Sequence, residues 1–211
     1  YVYDGWDKQA SLVPYSGWPV RRIFYEVHRH YFEKRIFADH QDAVEAVLRE
    51  ITEKGPMMPK DFEFQLRRDE WQGSWFGPSV TKTTLRALWH SGIVMTSGRR
   101  GGQHVYDLTE RVVPTELYNQ PPIPEVDAIR ELVMERHRAM GIVRPSAPPE
   151  VWSTQTLNPT KRTAIASLCD ANEIIPVSVD GMKTHATQDL LNQLDLPALK
   201  PRVVFVAPLD P

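Results

Sequence analysis

One stretch of this chain, Ser79–Tyr106, runs for 28 residues without an Asp or Glu, although the full sequence of 211 residues has a net charge of −2. Its first part has apolar residues at helical spacing, with Leu85, Leu88 and Trp89 on one face. Gly92 is expected to end that helix, because glycine readily adopts the left-handed conformation found after a helix. The stretch therefore begins with an amphipathic helix.

Two strands are predicted after this helix, Ile93–Met95 and His104–Tyr106, joined by a loop over Ser97–Gly102. Arg99 and Arg100 lie in the loop beside glycines, which let a hairpin tip approach another backbone closely. A helix followed by a basic hairpin is the form in which a winged helix, a helix-turn-helix variant, meets nucleic acid. Because the chain as a whole is not basic, the expected partner, double-stranded DNA, is predicted to bind a local patch.

Five residues of the stretch are candidates for DNA contact. Arg99 and Arg100 carry planar guanidinium groups that suit a phosphate or the edge of a groove, although a solvated turn is the alternative. Lys82 and Arg86 are four residues apart and share a helix face, where they either contact DNA or are solvated. Gln103 completes the set, and bracing the hairpin is its expected role ahead of reading a base.

The residues that precede this stretch are predicted to form one structural unit with it. Val44, Val47, Leu48 and Ile51 repeat at helical spacing, and the helix they predict ends at Gly55-Pro56. A short second helix is predicted around Pro59–Gln65, followed by the loop Trp71–Pro78 and by Ser79 as the N-cap of the third helix.

The same order of elements is predicted again after the Pro-rich junction Tyr118–Pro124. A helix ends at Gly141, a second opens at Asn158-Pro159, and the strands Glu173–Val179 and Met182–Thr187 flank Asp180-Gly181, a strong hairpin turn signal. Pro176 makes the first of these an edge strand, because proline has no N–H for a ladder. The predicted fold class is therefore α+β, mainly α, with tandem winged-helix units and small β-hairpin wings.

The first 39 residues carry a weaker pattern. Trp6–Pro14 is predicted to be a strand or loop. Arg21–Phe37 is predicted to be one helix whose charged face is solvated and bridges two units, with four residues inward: Ile23, Phe24, Val27 and Tyr31.

Several classes of site are not expected. Cys169 is the one cysteine, so a disulfide framework and a zinc cluster are excluded. His28 and His30 are two residues apart and do not share a helix face, so no metal site is expected. No motif for a cofactor is present, and no transmembrane run occurs. We expect a monomer in the cytoplasm, associated with the nucleoid.

Several motifs of this chain occur in the same order as in a known protein family. They are Trp6–Pro14, Lys54–Pro56, Lys60–Phe62, Leu88–Pro114 and Ala207–Pro211. The pattern is sharpest over Leu88–Pro114, which contains RRG and then VYDLTERVVP. In these motifs the chain resembles the winged-helix DNA glycosylase family, the bacterial group that includes glycosylases unhooking DNA interstrand crosslinks.

This resemblance implies a DNA-repair hydrolase that cleaves the N-glycosidic bond of alkylated or crosslinked bases. Family members resemble three tandem winged helices followed by a β-barrel, which implies four segments here: 1–39, a remnant of a preceding unit with a connecting helix; 40–118 and 119–200, two winged-helix units; and 201–211, the first strand of a truncated barrel. The catalytic residues are unknown in this chain, because the family's Gln-hydrophobic-Gln or Gln-hydrophobic-Asp motif is expected before Tyr1. We therefore expect the chain alone to be inactive.

Lys8-Gln9 departs from the family, whose pattern commonly has His-Glu at this place. If these residues neighbour the active site, the amide of Gln9 removes an ionisable group; the alternative is that the segment only packs an inter-domain core. A second function stays open for this reason: a winged-helix DNA-binding protein without enzymatic activity, either a regulator or a relative that has lost catalysis.

Overall fold

A computed structural model describes residues 1–7, 10–63, 80–152, 158–194 and 196–197. Over these ranges the chain is a mixed α and β protein, mainly helical, with small antiparallel sheets. The chain divides into two compact units, Tyr1–Pro122 and Ile123–Pro211. Within the described ranges, no helix combines the length and the apolar character needed to cross a membrane.

The described residues of the first unit form two hairpins and three long helices. Its elements are β1 Val2–Trp6, β2 Ala10–Pro14, a 3₁₀ turn Tyr15–Gly17, α1 Trp18–Phe32, a π-helical turn Glu33–Phe37, α2 Gln41–Lys54, α3 Val80–His90, β3 Val94–Arg100, β4 Gln103–Leu108, α4 Thr109–Val112 and α5 Thr115–Tyr118. The elements of the second unit are α6 Glu125–Met140, β5 Ile142–Val143, α7 Pro149–Trp152, α8 Asn158–Asp170, β6 Ile174–Val179, β7 Met182–Thr187 and α9 Gln188–Asn192.

A hairpin opens the first unit, where the sequence predicts only a strand or loop over Trp6–Pro14. Strand β1 pairs with β2 in antiparallel register, and Tyr3 lies opposite Val13. Both side chains are 2% exposed and pack against Trp18 and Tyr25 of α1. Because alternate residues of a strand face opposite sides, the neighbours of Tyr3 in β1 face away from this cluster.

Helix α1 is buried mainly in its first half, which corrects two predictions. Val27 is 38% exposed and Tyr31 is 48% exposed, so their predicted inward placement is wrong. Arg21, predicted on the solvated face, is only 6% exposed and lies 3.6 Å from the carboxylate of Asp7. Helical periodicity alone does not show over what length other elements pack against the apolar face of a helix.

Helices α2 and α3 form the core of the first unit as the spacing predicts. Val47, Ile51, Leu85 and Leu88 are at most 1% exposed and lie in one cluster. Gly55 ends α2 with a φ of +81°, the left-handed region that favours glycine.

Residues 59–61 form a turn and residues 62–63 are not helical, so the short helix predicted around Pro59–Gln65 is wrong over this part. The turn closes because the N–H of Asp61 donates to the Met58 carbonyl over 2.9 Å, and the N–H of Met58 donates to the Asp61 carboxylate over 3.2 Å. The rest of that predicted helix, the loop Trp71–Pro78 and Ser79 lie outside the described residues.

The second hairpin is longer than predicted. The predicted loop Ser97–Gly102 is wrong, because β3 runs to Arg100 and β4 starts at Gln103, which pair with each other. Gly101 and Gly102 alone form the turn, with φ of +57° and +77°. A two-residue turn with positive φ at both positions matches the twist of the strands and favours glycine, asparagine or aspartate.

The second unit packs α6 and α8 beside a three-stranded sheet of order β5-β7-β6. Ile129 and Val133 of α6 and Leu168 of α8 are fully buried. Strand β6, which contains Pro176, lies at the edge of the sheet as predicted. Strand β5 was not predicted, because two residues carry no periodic signal, and the predicted strand Val203–Val206 lies outside the described residues.

Candidate nucleic-acid interface

A cavity of about 720 Å³ lies in the first unit and is lined by residues of both hairpins and of α3. We call it the α3 cavity. Its apolar lining includes Trp6, Leu12, Leu85, Trp89 and Tyr106. Its volume is within the range of about 300–1,000 Å³ that suits a small ligand or one unit of a polymer.

Three basic side chains line the α3 cavity: Lys82 and Arg86 from α3, and Arg99 from β3. All three are exposed to solvent. Arg86 also donates from Nε to Nε2 of His90 over 3.5 Å. Three of the five predicted DNA-contact residues therefore converge on one space, where their positive charges favour a phosphate.

Arg99 has a carboxylate partner that the sequence did not predict. Its Nη2 lies 3.4 Å from Oδ1 and 3.5 Å from Oδ2 of Asp4, 95 residues earlier in the chain. His104 Nδ1 lies 3.4 Å from Asp4 Oδ2 and 3.1 Å from Thr96 Oγ1. Asp4 thus connects β1 to the hairpin β3–β4.

Arg100 and Gln103 are placed differently from Arg99. They are paired across the last rung of the hairpin and are exposed. Neither is among the described residues that line the α3 cavity. Since successive residues of a strand face opposite sides, Arg99 and Arg100 cannot both face this cavity.

Comparison with known proteins shows the family to which this chain belongs. The sequence model of the AlkZ-like DNA glycosylase family matches residues 5–211. The chain belongs to the AlkZ-like DNA glycosylase family. Its structure is similar to that of the Streptomyces sahachiroi DNA glycosylase AlkZ, with a TM-score of 0.61 and 12% sequence identity over 93% of this chain. The chain spans 55% of the length of that protein.

An aromatic and histidine cluster supports the α3 cavity in this AlkZ-like chain. His90 lies between the rings of Trp6, Trp89, His28 and Phe32, with ring centroids 4.9–5.6 Å away. A second cavity of about 500 Å³ is lined by His28 and Phe32 and shares His90 with the α3 cavity. No local sequence pattern predicts this cluster, because its rings lie on β1, α1 and α3.

The histidines of this cluster are neutral at pH 7. Burial lowers the pKa of His90 to about 4, with smaller contributions from the nearby charges of His28 and Arg86. Burial also lowers the pKa of His28. Among the described residues, no three His, Cys, Asp or Glu side chains are placed to hold a metal ion.

Two other basic residues of the chain are Lys8 and Lys161. Lys8 and Gln9, the departure from the family pattern, lie outside the described residues. In the second unit, Lys161 is 8% exposed and its Nζ lies 4.9 Å from the ring centre of Trp152. Burial lowers the pKa of Lys161, and the contact with Trp152 shows that this side chain packs within the unit.

Proposed function

We propose that this chain is the DNA-binding part of a DNA-repair glycosylase that acts on alkylated or crosslinked bases in double-stranded DNA. The observation that carries the proposal is the α3 cavity, in which Lys82, Arg86 and Arg99 line one space together with aromatic side chains. Membership of the AlkZ-like DNA glycosylase family supports the class of reaction.

Both units are winged helices in this proposal. In each, the described part shows helices followed by an antiparallel hairpin with a two-residue turn at Gly101-Gly102 or Asp180-Gly181. The first hairpin would lie along the DNA backbone, with Arg99 at a phosphate on the cavity side and Arg100 and Gln103 exposed at the tip. Guanidinium groups suit this role because they bind phosphate oxygens with two parallel N–H bonds.

Hydrolysis replaces a carbon–nitrogen bond with a carbon–oxygen bond. The C1′–N bond of the damaged nucleotide breaks, and its electron pair stays with the base. Water oxygen bonds to C1′ and the water gives up one proton to solvent, which balances the positive charge that a base alkylated on a ring nitrogen carried. Because C1′ passes through an oxocarbenium-like state, the site must align water and stabilise positive charge. A Gln-hydrophobic-Gln or Gln-hydrophobic-Asp motif, of the kind that the family resemblance implies, would align the water.

A DNA-binding protein without catalysis is the second candidate. Gln9 favours it, because the family pattern commonly has an acid there and an amide does not ionise. The two candidates share the DNA interface and differ only in whether a base is released.

Base release from a duplex containing one N7-methylguanine separates the two candidates. We expect the full-length protein to release the free base in single-turnover assays followed by chromatography. Arg86→Ala/Arg99→Ala should raise the protein concentration for half-maximal release by roughly tenfold or more, since hydrogen bonds to charged groups contribute about 1.5–3 kcal/mol each. The rate at saturation should change little.

A matched control removes two positive charges elsewhere. Arg49 and Arg138 are exposed and do not line the α3 cavity. Arg49→Ala/Arg138→Ala should leave half-maximal release within about twofold. Tight duplex binding with no base release would favour the second candidate, and equal effects of both double variants would contradict the interface.

A further inference from the structure

Asp4 has an unusual place in a surface suited to phosphate. Among the described residues that line the α3 cavity it is the one carboxylate, and Lys82, Arg86 and Arg99 line the same space. Its side chain is 15% exposed. A fixed negative charge repels the phosphates of DNA, so a carboxylate at this position weakens a surface whose only task is to hold the backbone.

The strand geometry directs Asp4 toward the cavity. Tyr3 of β1 faces the buried cluster against α1 and is 2% exposed. Asp4 and Trp6 are two residues apart and therefore share the other face of β1. Both line the α3 cavity, together with Leu12, which is the cross-strand partner of Asp4. The carboxylate thus lies beside aromatic and aliphatic walls that strengthen its electrostatic field.

Arg99 can exchange Asp4 for a phosphate at low cost. The Arg99–Asp4 contacts are long, at 3.4 and 3.5 Å, and the Arg99 side chain is 54% exposed. An ion pair with long contacts and a cation this exposed is weak. When Arg99 binds a phosphate, His104 Nδ1, 3.4 Å from Asp4 Oδ2, still positions the carboxylate.

We propose that Asp4 faces the reacting deoxyribose and stabilises the positive charge that develops on it as the C1′–N bond breaks. This assignment rests on the proposed function and adds a residue to it. Asp4 acts through its charge: the electron pair of the broken bond leaves with the base, water oxygen bonds to C1′, and the released proton goes to solvent. Arg99 then has two partners in sequence, Asp4 in the free protein and phosphate in the complex.

Two stable abasic-site analogues in duplex DNA test this assignment without needing turnover. One is a 1-azaribose, which is cationic at the position of the oxocarbenium, and the other is neutral tetrahydrofuran. The full-length protein should bind the cationic analogue about tenfold or more tighter than the neutral one, because a carboxylate beside apolar walls attracts a nearby cation more strongly than it would in water.

The variant Asp4→Asn keeps the shape of the side chain and removes its charge. It should reduce the preference for the cationic analogue to under about threefold, and Asp4→Glu, which keeps the charge, should retain part of it. Asp42→Asn removes an exposed carboxylate on α2 outside the cavity and should leave the preference unchanged. The preference is a ratio of two affinities on one preparation, so a partly unfolded fraction cancels.

Each other outcome has one meaning. If Asp4→Asn weakens binding of both analogues equally, Asp4 only positions the hairpin and the assignment is overturned. If the preference survives in Asp4→Asn, the assignment is overturned while wild-type base release still supports the proposed function. A wild-type protein that neither releases a base nor distinguishes the analogues overturns both.

Discussion

Arg111 lies on α4, directly after the hairpin β3–β4, and connects this part of the chain to the end of α2. Its Nη1 donates to the carbonyl of Ile51 over 3.1 Å, and its Nη2 donates to the carbonyl of Thr52 over 3.0 Å. Nη1 also lies 3.3 Å from Oδ1 of Asp107. The Ile51 carbonyl also accepts the N–H of Gly55 over 2.9 Å, whereas the Thr52 carbonyl lies in the last turn, where carbonyls need partners from outside the helix. A cation there also complements the helix dipole.

The loss of stability expected for Arg111→Ala follows from these contacts. Hydrogen bonds from a charged donor contribute about 1.5–3 kcal/mol each when buried, and the 38% exposure of the Arg111 side chain reduces this to about 1 kcal/mol each. Asp107, 8% exposed, loses its cation but keeps the N–H of Leu108 at 2.8 Å, which adds roughly 0.5–1 kcal/mol. We expect a decrease of about 2–3 kcal/mol in the free energy of unfolding.

Thermal melting and urea unfolding followed by circular dichroism measure this loss. The expected decrease in Tm is about 4–12 °C, from roughly 2–4 °C per kcal/mol for a chain of this size. Arg111→Lys keeps the charge but not the two-branched geometry and should recover less than half of the loss. Arg138→Ala, which breaks an exposed pair with Glu131, should cost under about 0.5 kcal/mol. An Arg111→Ala protein as stable as Arg138→Ala would refute the reasoning.

Two further predictions concern stability. Gly92→Ala should lower the free energy of unfolding by about 2 kcal/mol or more, because φ is +65° and the new Cβ would lie 2.8 Å from Cγ of Tyr25. Gly98→Ala is the control, because no atom lies within 4 Å of its new Cβ. Equal Tm values for the two variants would contradict the close-packing argument. The pKa of His90 is lowered to about 4, so the unfolded chain binds its proton more readily, and the stability present above pH 6.5 is lost as the pH falls toward 4. Urea unfolding at pH 7 and pH 5 should show a smaller loss for His90→Phe than for wild type, and an equal loss would show that other groups cause the acid sensitivity.

Local patterns in the sequence predict most helices and both longer hairpins. Helices α2 and α3 follow from apolar spacing, and Asp180-Gly181 marks its hairpin turn because few residue pairs accept positive φ. Strand β1 was missed, since Asp4-Gly5 inside it has the composition of a turn. The α1 residues Val27 and Tyr31 were misplaced because periodicity gives the direction of a face and not whether another element covers it.

The candidate site was predictable only in part. Lys82, Arg86 and Arg99 were found because their stretch lacks acids, a feature that is visible in the sequence. Asp4 was not found, because its contact with Arg99 spans 95 residues and depends on how two hairpins pack. No local pattern encodes such a contact.

The salt dependence of duplex binding tests the DNA interface most directly. Affinities of the full-length protein are measured from about 50 to 200 mM salt for wild type, Arg86→Ala/Arg99→Ala and the control Arg49→Ala/Arg138→Ala. Each lost phosphate contact lowers the slope of log K against log salt by about 0.9, so the cavity variant should lose about 1.8 and the control close to none. A cavity variant with the wild-type slope would contradict the account.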